Sequence, residues 1–114
     1  MEAVKLERYN NAFMEQLNII FGSEVKNPIL KKVVVNAVKI TNDLSYAKVY
    51  FTVLDQNKIE ETKKALKSAS GFIRHELRER VDIRQIPELE FVYDESIEYG
   101  QRIENIIEEL KAEN

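Results

Sequence analysis

Six cations surround one small-residue tetrad. Lys63, Lys64 and Lys67 precede Ser68-Ala69-Ser70-Gly71, and Arg74, Arg78 and Arg80 follow it. Glycine in a helix interior costs about 1 kcal/mol relative to alanine. Serine hydroxyls compete there for backbone hydrogen bonds. With strong helix formers on both sides, the tetrad predicts a bend, since Gly/Ser positions are kink sites. A helix that restarts after a bend presents free backbone N–H groups, which suit a phosphate. Cations on the adjoining turns are what recognition of a phosphate backbone requires. The plainer reading is a structural helix corner with solvated charged faces.

Other residues could do chemistry, but their spacing argues against it. His75 is the sole histidine and there is no Cys, so a metal site lacks partners and a surface helix histidine is the simpler reading. Asp94, Glu95 and Glu98 could pair as carboxylates. Asp94-Glu95-Ser96 before an apolar-periodic run reads better as a helix start, where acids favour the dipole. No nucleophile–base pairing emerges. No catalytic constellation, cofactor or metal site is therefore expected from these residues. Tyr50 and Tyr93 have faces that could stack bases. Tyr93 shares a strand face with Leu89 and Phe91, which favours sheet packing, whereas Tyr50 stands beside Lys48.

These residues need elements to position them. The 114-residue chain has a net charge of −3, unevenly spread. Residues 26–84 hold thirteen bases and seven acids, and residues 94–114 hold seven acids and two bases. A basic body with an acidic end is thus expected. No apolar run approaches the ~20 residues of a membrane span. The first residues are amphipathic and carry acids, unlike a signal peptide. The lack of Cys fits a cytosolic protein.

Leu6, Tyr9, Phe13, Leu17 and Ile20 predict one helix face, which Gly22 is placed to end. A connection punctuated by Asn27-Pro28 follows. Val33 to Ile40 and Tyr46 to Leu54 predict two strands joined by Thr41-Asn42-Asp43-Leu44-Ser45, an antiparallel hairpin. Asp55-Gln56-Asn57 opens a helix that reaches the tetrad, and Phe72, Ile73 and Leu77 lie beyond it. Pro87 introduces a third strand, Leu89 to Tyr93. Ile97, Ile103, Ile107 and Leu110 mark a last helix, over about 95–111. An unbroken helix from Asn57 to Arg80 would run about 36 Å, roughly the diameter of a domain this size. That length also argues for the bend. The core should include Phe13, Leu17, Val49, Phe51, Leu66, Ile73, Leu77 and Phe91.

Several stretches in order now carry a resemblance. TNDLSYAKVYFTVL (Thr41 to Leu54), SASGFIRHEL (Ser68 to Leu77) and IPELEFVYDESIEYGQRI (Ile86 to Ile103) together resemble the ribosome-binding factor A family. EVKNPIL (Glu24 to Leu30) agrees, with Asn27 where Asp is the family's habit before Pro28. The resemblance implies a single type II KH-like domain over residues 1–114, of α+β class. Its order is α-β-β-α-kink-α-β plus the acidic C-terminal helix, with a three-stranded mixed sheet and helices on one face. KH domains clamp a nucleic-acid backbone with a Gly-x-x-Gly loop. The family is similar but has an interrupted helix of the form Ala-x-Gly, here Ala69-Ser70-Gly71.

Further expectations come with the family. Its members are cytoplasmic assembly factors that bind the small ribosomal subunit and support late maturation of its ribosomal RNA. The expected RNA-binding set is Lys67, Ser68, Ala69, Ser70, Gly71, Arg74 and Arg78, with Lys48 on the second strand. A monomer is expected, with no membrane association and no small-molecule substrate. The residues leave a second class open, a protein–protein adaptor acting through the acidic last helix.

Overall fold

A computed structural model describes residues 3–96. The expected helix over about 95–111 lies almost wholly outside the described residues. The order is helix α1 (Ala3–Ser23), strands β1 (Val34–Ile40) and β2 (Tyr46–Thr52), helices α2 (Ile59–Ser68) and α3 (Ser70–Arg80), then strand β3 (Glu88–Tyr93). The sheet runs β1-β2-β3, with β1 and β2 antiparallel and β2 and β3 parallel. This is the expected α+β arrangement with a mixed three-stranded sheet.

Alternation along β2 decides which sheet face is covered. Ala47, Val49 and Phe51 are fully buried, while Lys48 between them is exposed. Helix α1 lays Phe13, Leu17, Ile20 and Phe21 into the core against this face. Gly22 does not stop α1. The helix runs on to Ser23, whose Oγ donates to the Ile19 carbonyl at 2.7 Å. Bonding to Asn27 then turns the chain: its Oδ1 accepts from Ile29 N at 3.2 Å and its carbonyl from Leu30 N at 3.0 Å.

β1 departs from strict alternation. Val35 pairs with Phe51 and Ala37 with Tyr50, so Asn36 is an extra residue in a bulge. The bulge lets Val35, Val38 and Ile40 all point to the core despite their uneven spacing. Asparagines of α1 satisfy the outer edge of β1. Asn18 Oδ1 accepts from Val35 N at 2.8 Å and its Nδ2 donates to the Val35 carbonyl at 3.1 Å. Asn10 Oδ1 accepts from Ile40 N at 2.9 Å.

The hairpin turn is held by Asp43, whose carboxylate accepts from the Ser45 and Thr41 hydroxyls and from Ser45 N. Those donors pull its carboxyl down to about 2. Leu44 adopts φ 63, the one non-glycine residue of the described chain in that region, and its side chain is fully buried. A bulky residue with positive φ is strained, and burial of the leucine offsets that strain.

Phe91 differs from expectation. It is only partly buried, meeting Phe21 edge-on with centroids 6.2 Å apart. β3 is an edge strand, so the side chains at its outer margin lack neighbours on that side.

Asn18→Ala should destabilise the fold by about 1–3 kcal/mol, because it leaves both polar groups of Val35 unpaired. A urea midpoint equal to that of the wild type would mean that water already serves that edge. Leu44→Gly should also destabilise, by about 2 kcal/mol, since the lost burial exceeds the relieved strain. Calorimetry showing a gain in stability would reverse the order of those two effects.

Candidate nucleic-acid interface

The interruption between α2 and α3 is one residue wide. Ala69 alone leaves the helical region, at φ −92 and ψ 3. Its N–H still donates to the Ala65 carbonyl at 3.0 Å, and the ladder resumes with Ile73 N to the Ala69 carbonyl at 2.9 Å. The first N–H groups of a helix have no acceptor within that helix. Those of Ser70, Gly71 and Phe72 are in this position in α3. The bend expected over the tetrad is therefore present, but concentrated at Ala69.

Gly71 needs no glycine for its own conformation. Its φ is not positive, and a Cβ built there meets nothing within 4 Å. It is exposed in the first turn of α3. What glycine provides here is a bare, accessible backbone.

One side of the corner opens onto a groove of about 530 Å³ between the two helices and β3. Lys63, Lys67, Ser70 and Arg74 form its helix wall, and Glu88 and Glu90 stand on its strand wall. Leu66, Leu89 and Phe91 give it apolar lining, and the half-exposure of Phe91 follows from this place. Tyr46 also lines it and donates its hydroxyl to the Glu90 carboxylate. That bond, with burial and the nearby acids, pushes the Tyr46 phenol up to about 12, so it stays a neutral donor. The groove thus has a cationic helix wall and an anionic strand wall.

Hydrogen bonds sort the six cations. Arg80 is engaged by Glu24 at 3.2 Å and Glu76 at 3.4 Å, tying α3 to the end of α1. Lys63 lies 3.5 Å from Glu60. Arg74 Nη2 donates to the Ile86 carbonyl at 3.0 Å, and its Nε is buried without an acceptor. Arg74 is therefore a clamp between α3 and the entry to β3, with part of its guanidinium still facing the groove. Lys64, Lys67 and Arg78 are exposed and have no partner among the described residues.

Of the expected site residues, the structure gathers Lys67, Ser70 and Arg74 along the groove. Ser68 and Ala69 instead line a shallower hollow with Lys64, Asn27 and Leu30 on the other side of α2. Gly71 and Arg78 are exposed on α3. Lys48 is set apart, on the open face of the sheet in register with Lys39 and Glu90. Tyr50 is on that face too, with Lys39 Nζ 5.8 Å from its ring centre, whereas Tyr93 packs edge-on against Phe51. Asp94 accepts from Ser96 N at 3.0 Å, as a helix start would, while Glu98 lies outside the described residues. Glu88, Glu90 and Tyr46 were not legible as groove residues, because only the parallel return of β3 brings them beside α2. A second cavity of about 340 Å³, lined by Pro28, Ile29, Val53 and Thr62, lies away from the corner. Lys58 on its rim is paired with Glu61 at 3.5 Å.

Among the described residues no helix is long and apolar enough to cross a membrane. The family model described as ribosome-binding factor A matches residues 5–107. Relatives named ribosome-binding factor A from Staphylococcus carnosus and Staphylococcus epidermidis are 44% and 46% identical, each over 96% of both chains. The crystal structure of ribosome-binding factor A from Thermus thermophilus superposes with a TM-score of 0.62 at 26% identity, covering 82% of this chain and 94% of that one. A homology model of the Thermus thermophilus factor, fitted into a cryo-EM map of a 30S complex with it, gives a TM-score of 0.61 at 25% identity, over 83% and 97%. With a profile match over most of its length and relatives this similar end to end, the chain belongs to the ribosome-binding factor A family.

Proposed function

We propose that this protein binds the small ribosomal subunit as an assembly factor and supports late maturation of its ribosomal RNA. The α2–α3 corner and its groove serve as the KH-like RNA surface. The observation that carries this reading is the juxtaposition at the corner. Backbone N–H groups, an exposed Gly71 with open space above it and Lys67 meet there, with Arg78 two turns further along α3, and neither cation has a partner among the described residues. Phosphates would approach the N–H groups over Gly71, between those two cations. Bases of a single strand would turn into the groove, whose acids can accept from exocyclic amines. The fitted 30S complex of the Thermus thermophilus factor supports a subunit partner. Such a role asks for no catalysis; the protein would hold an RNA conformation.

Gly71→Leu should weaken co-sedimentation with small subunits at least tenfold while leaving the melting temperature equal or slightly higher, since leucine is the better helix former by up to about 1 kcal/mol. Undiminished binding would remove Gly71 from the contact. Lys67→Gln with Arg78→Gln should lower affinity without changing which RNA is preferred. It should also flatten the log–log salt dependence by about 0.7 for each phosphate left unneutralised. A slope equal to the wild type's would make these two cations bystanders. Arg74 is the wrong residue for that measurement, because its loss also frees the Ile86 carbonyl.

A further inference from the structure

Five large hydrophobic side chains are exposed among the described residues, and Phe72 is the one aromatic among them. It is 42% exposed, directly follows Gly71 and sits in the first turn of α3. His75 is exposed three residues on, which puts two planar rings on neighbouring positions of one helix face. At about 100° per residue, Ser70 and Arg74 point toward the groove. Phe72 and His75 lie on the far side of α3, with Gly71 between the two sets. An RNA backbone crossing the corner at Gly71 would thus have the groove on one flank and the two rings on the other.

We propose that Phe72, with His75 beside it, is a stacking platform for an unpaired base of the RNA strand whose phosphate crosses Gly71. This rests on the RNA-binding reading above and extends it to a second, sequence-tolerant contact outside the groove. The core does not call for an aromatic here, since Ile73 and Leu77 fill the buried stripe of α3. Charge selects the occupant. Lys67 in the last turn of α2 and Arg78 two turns beyond Gly71 have no partner among the described residues, and Lys64 stands one turn before Lys67. Those cations favour a polyanion presenting flat apolar faces over an acid-poor protein surface. Unpaired bases meet that description, and they stack on phenylalanine and histidine rings. Glu79, exposed one further turn along the same stripe, would repel phosphates and so limit the platform to the first two turns of α3.

Phe72→Trp provides the test, because the chain has no tryptophan of its own. Emission is followed while small ribosomal subunits are added, and read as the difference from the wild-type titration. Stacking should quench the indole without a blue shift. Phe72→Leu should weaken binding by about 5- to 150-fold, the equivalent of the ~1–3 kcal/mol of a stacked base. Its salt slope should be unchanged, because every phosphate remains neutralised. Phe72→Trp should retain affinity. All variants are compared at matched melting temperatures. A blue shift with brighter emission would place the ring in an apolar pocket of a ribosomal protein and overturn the proposal. Unchanged emission at saturation, or leucine binding as tightly as phenylalanine, would do the same. A wild type whose own binding shows no salt dependence would overturn the RNA reading itself, which the ring variants alone do not.

Discussion

Leu66 on α2 and Ile73 and Leu77 on α3 are all fully buried, and they must enter one core from two helices joined at a single residue. Seven residues separate Leu66 from Ile73, close to two helical turns, so an unbroken helix would also have aligned them. The break therefore does not serve to correct the apolar phase. It redirects the chain while both helices keep their apolar side chains in one core. Ala69, in the bridge region of backbone space, does this while still donating to the Ala65 carbonyl and accepting from Ile73 N. The first-turn N–H groups of α3 follow from that geometry, as do the groove on one flank and the rings on the other.

Positive charge near the corner is less uniform in effect than in sequence. Arg80 is held by two carboxylates and serves the packing of α3 on α1. Arg74 reaches back to Ile86 and fixes the strand that builds the opposite wall of the groove. Lys64, Lys67 and Arg78 are exposed and have no partner among the described residues. Exposed ion pairs contribute little to stability, so the solvated cations are better understood through binding. On the strand wall of the groove, Glu88 and Glu90 oppose Lys67 across an apolar lining. A polyanion would then be oriented with its phosphates on the helix side.

The element order was legible in the sequence because its signals are local. Apolar spacing marked α1, β-branched alternation marked β1 and β2, turn chemistry marked residues 41–45, and small residues marked the bend. The family resemblance rested on the same stretches. Seven of the eight expected core residues are fully buried, since one-face periodicity is itself a record of burial. Other features required distant parts of the chain to meet. The extra residue at Asn36 and the pairing of Asn18 with Val35 exist only once β1 lies beside α1 and β2. Phe91 is half-exposed because β3 became an edge strand bordering a groove. No local pattern announces which strand ends at the edge.

For the candidate site the division is similar. Sequence alone determined that cations would surround a helix interruption, because residue type and helical spacing suffice for that. The Lys63–Glu60 and Arg80–Glu76 pairs follow helical spacing, but only the tertiary structure brought Arg80 to Glu24 just after α1 and Arg74 to the Ile86 carbonyl before β3. It likewise placed Lys48 on the open sheet face, away from the corner, and left Phe72 facing solvent beside Gly71. Each of these depends on what packs against a helix or strand from elsewhere in the chain, a contact that spacing along one element does not encode.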